Sequence, residues 1–291
     1  MVELPNDARI EFNGRVPHWF NKRQKQIYHW IWQFERSPQQ LMAAVIAAIF
    51  IIFSIVKWGI PWLAMLLAYV VPDNTVKKIG DETERRMLGE TGPSLLSENY
   101  QQQLSRRFLN EIADSTHPPA KLLFRQGKNL GANAMAIPNN TIIVTDELIN
   151  IAGNDDEILA VLAHEQGHIV RKHAMQKIIS ASSIAFTWEL INQDGSSLLT
   201  TAAVALSDAE YSKHLEYDAD HYAMHHLHAN GISSIHLSNF LQRVENIRLS
   251  QPQKIQNPYV VKLKAILESH PDEEKRIRII HEFADAAEKK Q

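Results

Sequence analysis

Cysteine is absent from the 291 residues. That excludes thiolate zinc sites, disulfide frameworks and cysteine nucleophiles, and it means that any metal must be held by nitrogen and oxygen donors. Net charge is also small, since 30 Lys and Arg against 33 Asp and Glu leave a formal charge of −3. No nucleic-acid field is implied, and the short basic clusters are too few to make one. An early apolar run of the kind a cleaved signal peptide carries is missing too. The one long apolar run, Leu41 to Val71, falls short of the roughly 40 residues that two membrane crossings require. The length still suffices for one large domain or two modest ones with a sizeable core.

Residues 1–40 are polar but aromatic. Trp19, Phe20, Tyr28, Trp30, Trp32 and Phe34 alternate with Lys22, Arg23, Lys25 and Arg36, a mixture that suits lipid headgroups and equally a small amphipathic helix packed on the protein. Within 41–71 the sole charged residue is Lys57, and Pro61 interrupts the helical pattern. This predicts one membrane crossing that extends through a snorkelling Lys57 towards Trp62, followed by a short interfacial or re-entrant helix from Trp62 to Val71. A buried hairpin of a soluble domain is the alternative. Lys22, Arg23, Lys25 and Arg36 before the run balance Lys77, Lys78, Arg85 and Arg86 after it, so the positive-inside rule sets no orientation.

From Pro72 the chain turns polar. Thr75–Met87 and Glu98–Ile112 read as helices separated by a turn at Thr91–Ser94. Lys121–Arg125 reads as a strand, and Ala134–Ile137 with Thr141–Val144 as a hairpin around Pro138-Asn139-Asn140, after which Thr145 caps a short helix. A strand here with an open edge can pair with an extended peptide through its backbone; otherwise it is an ordinary interior strand. Ala174 to Leu206 gives two apolar helical pieces divided at Asn192–Ser196, and packing over the core is preferred to contact with lipid.

The chemistry concentrates in Leu159 to His173, LAVLAHEQGHIVRKH. His164 and His168 are just over one helical turn apart, so both imidazoles leave one face and can grip one ion, with Glu165 beside the first. Asn154 followed by Glu157 forms a capping box, Asp155 and Asp156 suit the positive helix start, and Arg171, Lys172 and His173 suit its negative end. Ile158, Val161, Leu162, Ile169 and Val170 supply a buried side, and Gly167 leaves room for a close approach. Two surface histidines on an ordinary helix are the plain alternative. A catalytic zinc takes three protein ligands and keeps one open position. The best third ligand lies in Asp208 to His228, where Glu216 and Asp220 share one helical face: Glu216 can ligate, and Asp220 can accept from the distal nitrogen of a ligand histidine. His221 and His225 form a rival pair without a following carboxylate.

HEQGH with the downstream SKHLEYDAD resembles peptidase family M48, which contains the membrane-associated HtpX, Ste24 and Oma1-like zinc metalloproteases. In the family pattern S-R-x-x-E-x-x-A-D, Ser212, Glu216, Ala219 and Asp220 match while Lys213 stands where arginine is usual. GANAMAIPNNTIIVTDELI resembles the family's substrate-side strand, with Asn133 matching a residue near bound peptide and Ala134, Met135 and Ala136 following it. SHPDEEKRI resembles its C-terminal element, in which His270 and Arg276 match residues that help to stabilise the oxyanion. The likeness covers about Gly80 to Ile280, and WGIPWLA is similar to a feature of some bacterial Oma1-like members.

The resemblance implies an α+β fold, a mostly helical gluzincin domain with a small β-sheet over residues 72–291, preceded by an N-terminal membrane-anchoring helix. It implies a zinc-dependent endopeptidase with one catalytic zinc held by His164, His168 and Glu216, Glu165 as the base, and Asp220 behind the ligands. Expected partners are the lipid bilayer and polypeptides that are unfolded or membrane-associated, and the expected location is a bacterial inner membrane with the catalytic domain on the periplasmic side. A metal-binding chaperone or adaptor using the same cleft, or a membrane-anchored scaffold without metal, are the rival readings.

Overall fold

A computed structural model describes residues 2–3, 9–10, 38–112, 117–192, 213–249, 270 and 273–288. The aromatic segment from Trp19 to Phe34, the apolar piece after Asn192, the helix start at Asp208, Ser212 and Ser269 lie outside the described residues. The chain divides into two compact units, Met1–Gly59 and Ile60–Gln291.

In the first unit, β1 (Val2–Glu3) and β2 (Arg9–Ile10) pair antiparallel. Helix α1 (Pro38–Ser54) contains no buried residue, and Leu41, Ile46, Ile49, Phe50 and Ile52 are all more than half exposed. Apolar side chains left outside along a whole helix call for an apolar solvent. The helical residues run on through a π turn at Ile55–Gly59 to α2 (Ile60–Ala68), and Pro38–Ala68 is, among the described residues, the one helix long and apolar enough to cross a membrane. The π turn shifts the hydrogen-bond register just before Pro61, a local change of the kind that lets a helix accommodate a residue without an N–H.

In the second unit α2 lies on α7 (His173–Asn192) through its small residues: Ala64 and Ala68 are buried, and Ala68 joins Met175 and Ile178 in an apolar cluster. The sheet has the order β3 (Gly92–Pro93), β4 (Lys121–Gln126), β6 (Thr141–Thr145), β5 (Ala134–Ile137). β4 and β6 run parallel with Leu123 opposite Ile143, and both outer pairings are antiparallel. β5 is therefore an edge strand, and the residues read as a turn at Gly92–Pro93 form a short edge strand at the other side. Helix α3 (Asp73–Glu90) presses on the β5–β6 turn, since a Cβ at Gly80 would meet the Asn139 backbone nitrogen, and Asn139 Nδ2 donates to Asp81 and Glu84.

Helix α6 (Asp155–Val170) runs through the middle. The sheet, α4 (Glu98–Glu111), α8 (Lys213–Ala229) and α9 (Ile235–Leu249) surround it, and α10 (Glu273–Glu288) packs on α8 and α9; a short α5 (Asp146–Ile151) precedes it. Every residue from Glu157 to His168 is buried, so this helix has no solvated side, unlike the amphipathic helix its sequence suggests. Its polar residues are answered by distant ones. Glu157 accepts from Arg243 Nη2 at 3.0 Å, and Gln166 Oε1 accepts from the Ala120 N–H at 3.0 Å. The core joins Leu104 and Phe108 of α4, Ile142 and Val144 of β6, Leu159 and Leu162 of α6, and Phe240 of α9. The whole is mostly helical with a small mixed sheet, the expected architecture.

Candidate active site

The start of α6 is fixed locally. Asn154 accepts from the Glu157 N–H at 2.9 Å, while the Glu157 carboxylate accepts from Gly153 N–H at 2.8 Å rather than closing the box on Asn154 itself. At the other end Lys172 adopts φ 55°, which turns the chain sharply so that α7 begins at once with His173. Along α8, Gly167 permits the close crossing: a Cβ there would lie 3.0 Å from the Ala219 carbonyl oxygen.

That crossing gathers the donors. His164 Nε2 and His168 Nε2 are 3.0 Å apart, Glu216 Oε2 lies 3.3 Å from the first and Glu216 Oε1 lies 3.5 Å from the second. His270 Nδ1 is 2.9 Å from Glu216 Oε2 and 3.3 Å from His164 Nε2. The four side chains are buried, and one donor atom from each lies within 4.8 Å of all the others. His270, expected from the resemblance to serve the oxyanion, lies within this group of donor atoms. Glu165 is beside it, with Oε1 3.5 Å from His270 Nε2.

Behind the donors, His164 Nδ1 meets Asp220 Oδ1 at 2.8 Å. Arg276, 1% exposed, grips Asp220 with both arms, Nε to Oδ2 at 2.7 Å and Nη2 to Oδ1 at 2.8 Å, and its Nη1 lies 3.1 Å from Glu216 Oε2. Its fork is thus committed to two carboxylates of α8. Burial, the largest influence on His164, lowers its pKa, but the Asp220 hydrogen bond and charge together with Glu216 raise it to about 9. Burial takes His168 well below the usual histidine range. Glu216 and Asp220 are pushed up by burial, and both nevertheless lie low, Glu216 through the charges of His270 and Arg276 and Asp220 through Arg276.

The site fits a divalent cation. Its atoms are imidazole nitrogens and carboxylate oxygens, and Glu216 Oε1 is buried without a hydrogen-bond partner. Glu165, Glu216 and Asp220 are all buried with Arg276 as the guanidinium among them, so a doubly charged ion would bring this group to neutrality. His221 and His225 face each other at 3.1 Å on the exposed side of α8 and, among the described residues, join no such cluster.

Asn133 is buried at the entry to β5, its N–H donating to Thr145 Oγ1 at 2.9 Å and its carbonyl accepting from Thr145 N–H at 3.0 Å. Alternation along an antiparallel strand then turns the backbone groups of Ala134 and Ala136 to the free edge, while Met135 pairs with Ile143. Beside His168 is a cavity of about 430 Å³, walled by Val76, Ala136, Ile137, Ile169 and Met175. The sequence reading missed one group next to the cluster. His173, treated there as a charge at a helix end, is fully buried against His168.

A buried helix bearing His-Glu-x-x-His, a carboxylate delivered by a second helix and a sheet edge alongside define a metal-dependent peptidase. The family model "Peptidase family M48" matches residues 98–284, more than half of the chain, which therefore belongs to that family and is a metalloendopeptidase. The chain is 24% identical over 188 residues to Metalloprotease LoiP of Escherichia coli (strain K12), covering 62% of this chain and 73% of that protein. It is 27% identical over 149 residues to Metalloprotease YcaL of the same organism, covering 43% of this chain and 58% of the relative. Against the Beta-barrel assembly-enhancing protease of Yersinia pestis it is 26% identical over 160 residues, covering 50% and 31% respectively.

Proposed function

We propose that this protein is a membrane-anchored zinc endopeptidase that cuts unfolded or membrane-associated envelope polypeptides. The observation that carries it is the meeting of His164, His168 and Glu216 at one buried point with Glu165 alongside. Nitrogen and oxygen donors in this number suit zinc. A zinc ion held by these three would polarise the scissile carbonyl and acidify water at neutral pH. Glu165, whose Oε1 has no hydrogen-bond partner, receives the proton of the attacking water and delivers it to the leaving amine. His270 stands among the donors, so it must swing aside to admit substrate and water, after which its ring N–H can donate to the developing oxyanion. Arg276 and Asp220 hold Glu216 and His164 in place. The outward backbone of Ala134 and Ala136 pairs with an extended substrate whose apolar side chain enters the cavity beside His168.

The helix from Pro38 to Ala68 and the likeness to proteases of bacteria support an inner-membrane anchor with the catalytic domain on the periplasmic side, and the quoted motifs favour an Oma1-like member of the family. The name of the Yersinia pestis relative, which refers to β-barrel assembly, supports envelope proteins as substrates.

The test is Glu165→Gln in the full-length protein. It should retain zinc and lose nearly all cleavage of an unfolded substrate such as casein; substantial residual turnover would remove Glu165 as the base. The position of His270 also suits an adaptor that binds polypeptides without cutting them. Chelator-sensitive cleavage by the unaltered protein decides against that reading.

A further inference from the structure

His168 turns Nε2 towards the donor cluster, 3.0 Å from His164 Nε2. Its other nitrogen, Nδ1, lies 2.8 Å from Nδ1 of His173. A ring nitrogen that gives its lone pair to a cation carries no proton, so a neutral, ligating His168 must be protonated at Nδ1 and donate from there. The acceptor is then His173 Nδ1, which fixes the His173 proton on Nε2. That Nε2 faces Asp218 Oδ2 at 3.3 Å, an ion-pair distance without full hydrogen-bond geometry, and Asp218 Oδ2 also lies 3.5 Å from Arg171 Nε. The side chain of His173 is 1% exposed and that of Asp218 is 42% exposed. A run of two imidazoles and a carboxylate therefore leads from the donor cluster to the surface across α6, α7 and α8. Its geometry depends on the left-handed Lys172 at the α6–α7 corner and on Asp218, two places beyond Glu216 and so on a different face of α8.

We propose that His173, backed by Asp218, is a positioning residue that sets the tautomer and ring plane of His168, as Asp220 does for His164. This rests on His168 being a ligand. Partners behind a metal-bound histidine raise its basicity and lock its orientation.

Full-length protein in detergent is titrated with zinc against a chromophoric chelator. His173→Phe keeps a ring but no acceptor and should weaken zinc binding about 10–100-fold, whereas His173→Asn keeps an acceptor near Nδ1 and should recover most of that loss. Asp218→Ala, at a half-exposed position, should weaken binding less than His173→Phe with an unchanged circular dichroism spectrum. Nitrogen-15 shifts of the metal-free protein should report His173 as the Nε2–H tautomer. Zinc affinity of His173→Phe within about twofold of the parent, or an Nδ1–H tautomer at His173, overturns the proposal. If His173→Phe does not fold, Asp218→Ala and the tautomer decide. Failure of the unaltered protein to bind zinc would defeat the metal reading instead, and the tautomer still judges the His173–Asp218 pairing by itself.

Discussion

Substituting Gly167 asks whether the donor cluster depends on how closely α6 and α8 approach. A Cβ at this position would lie 3.0 Å from Ala219 O, 3.1 Å from Ala219 Cα and 3.1 Å from Tyr222 Cβ. All three are backbone or the root of a side chain, so no rotamer change relieves the contact and α8 itself must retreat by a few tenths of an ångström. Overpacking of this kind costs about 1–3 kcal/mol. Alanine returns about 1 kcal/mol through helix propensity. Gly167→Ala should therefore range from neutral to about 2 kcal/mol less stable. Gly89 supplies the internal control: it lies in α3 with nothing within 4 Å of an added Cβ, so Gly89→Ala should gain about 0.5–1 kcal/mol. The gap between the two variants, about 1–3 kcal/mol, isolates the overpacking cost. Glu216 lies nearly one turn before Ala219 on α8, so the same retreat draws the carboxylate from the histidine pair and weakens zinc binding. Urea denaturation of the chelator-treated protein and zinc competition measure both effects. Equal stability of the two variants, with zinc affinity unchanged in Gly167→Ala, would refute the close-crossing argument.

Arg276→Met leaves Asp220 and Glu216 buried without their guanidinium, and chemical denaturation should show a loss of about 3–5 kcal/mol; a loss under about 1 kcal/mol would mean that these carboxylates are compensated elsewhere. Tyr100 donates to Asp155 Oδ1 at 2.7 Å, and burial followed by that hydrogen bond raises its pKa from 10 to about 12. Because the folded value is the higher one, its contribution is complete below pH 10 and is lost as pH rises through about 12. Tyr100→Phe should flatten the fall of melting temperature over that window, and an unchanged slope would exclude the contact as a source of alkaline instability.

What the sequence makes legible is local. Asn154, Glu157 and the four-residue spacing of His164 and His168 lie within a few turns of one helix, so capping and periodicity suffice to place them. The β5–β6 hairpin is marked by Asn140, which adopts φ 64° at its turn. Glu216 and Asp220 are likewise paired by spacing alone. The rest depends on tertiary approach. Arg243, which neutralises Glu157, is 86 residues away, and Arg276 is 56 residues from Asp220, separations over which no periodicity carries information. Nor does pattern reveal that β4 and β6 pair in parallel and leave β5 on the edge. His173 was within reach, five residues beyond His168, but finding it needed the exact end of α6 and a positive φ at Lys172. Lysine gives no signal for that conformation.

The supporting groups share an origin that gives the site its logic. Glu216, Asp218 and Asp220 all come from α8, and the spacing of a helix sends them to different tasks. Glu216 and Asp220 are one turn apart and face α6, one among the donors and one behind His164, while Asp218 points the other way and reaches His173. Arg276 of α10 then ties Glu216 to Asp220, so neither carboxylate can move without the other. The supports of both α6 histidines are consequently tied to one neighbouring helix, directly for His164 and through His173 of α7 for His168, and its distance is set where Gly167 meets Ala219. A rigid shift of α8 would disturb Glu216 and the support of both histidines together, rather than one contact at a time. Metal affinity in this fold is therefore a property of the α6–α8 crossing as much as of the ligands it brings together.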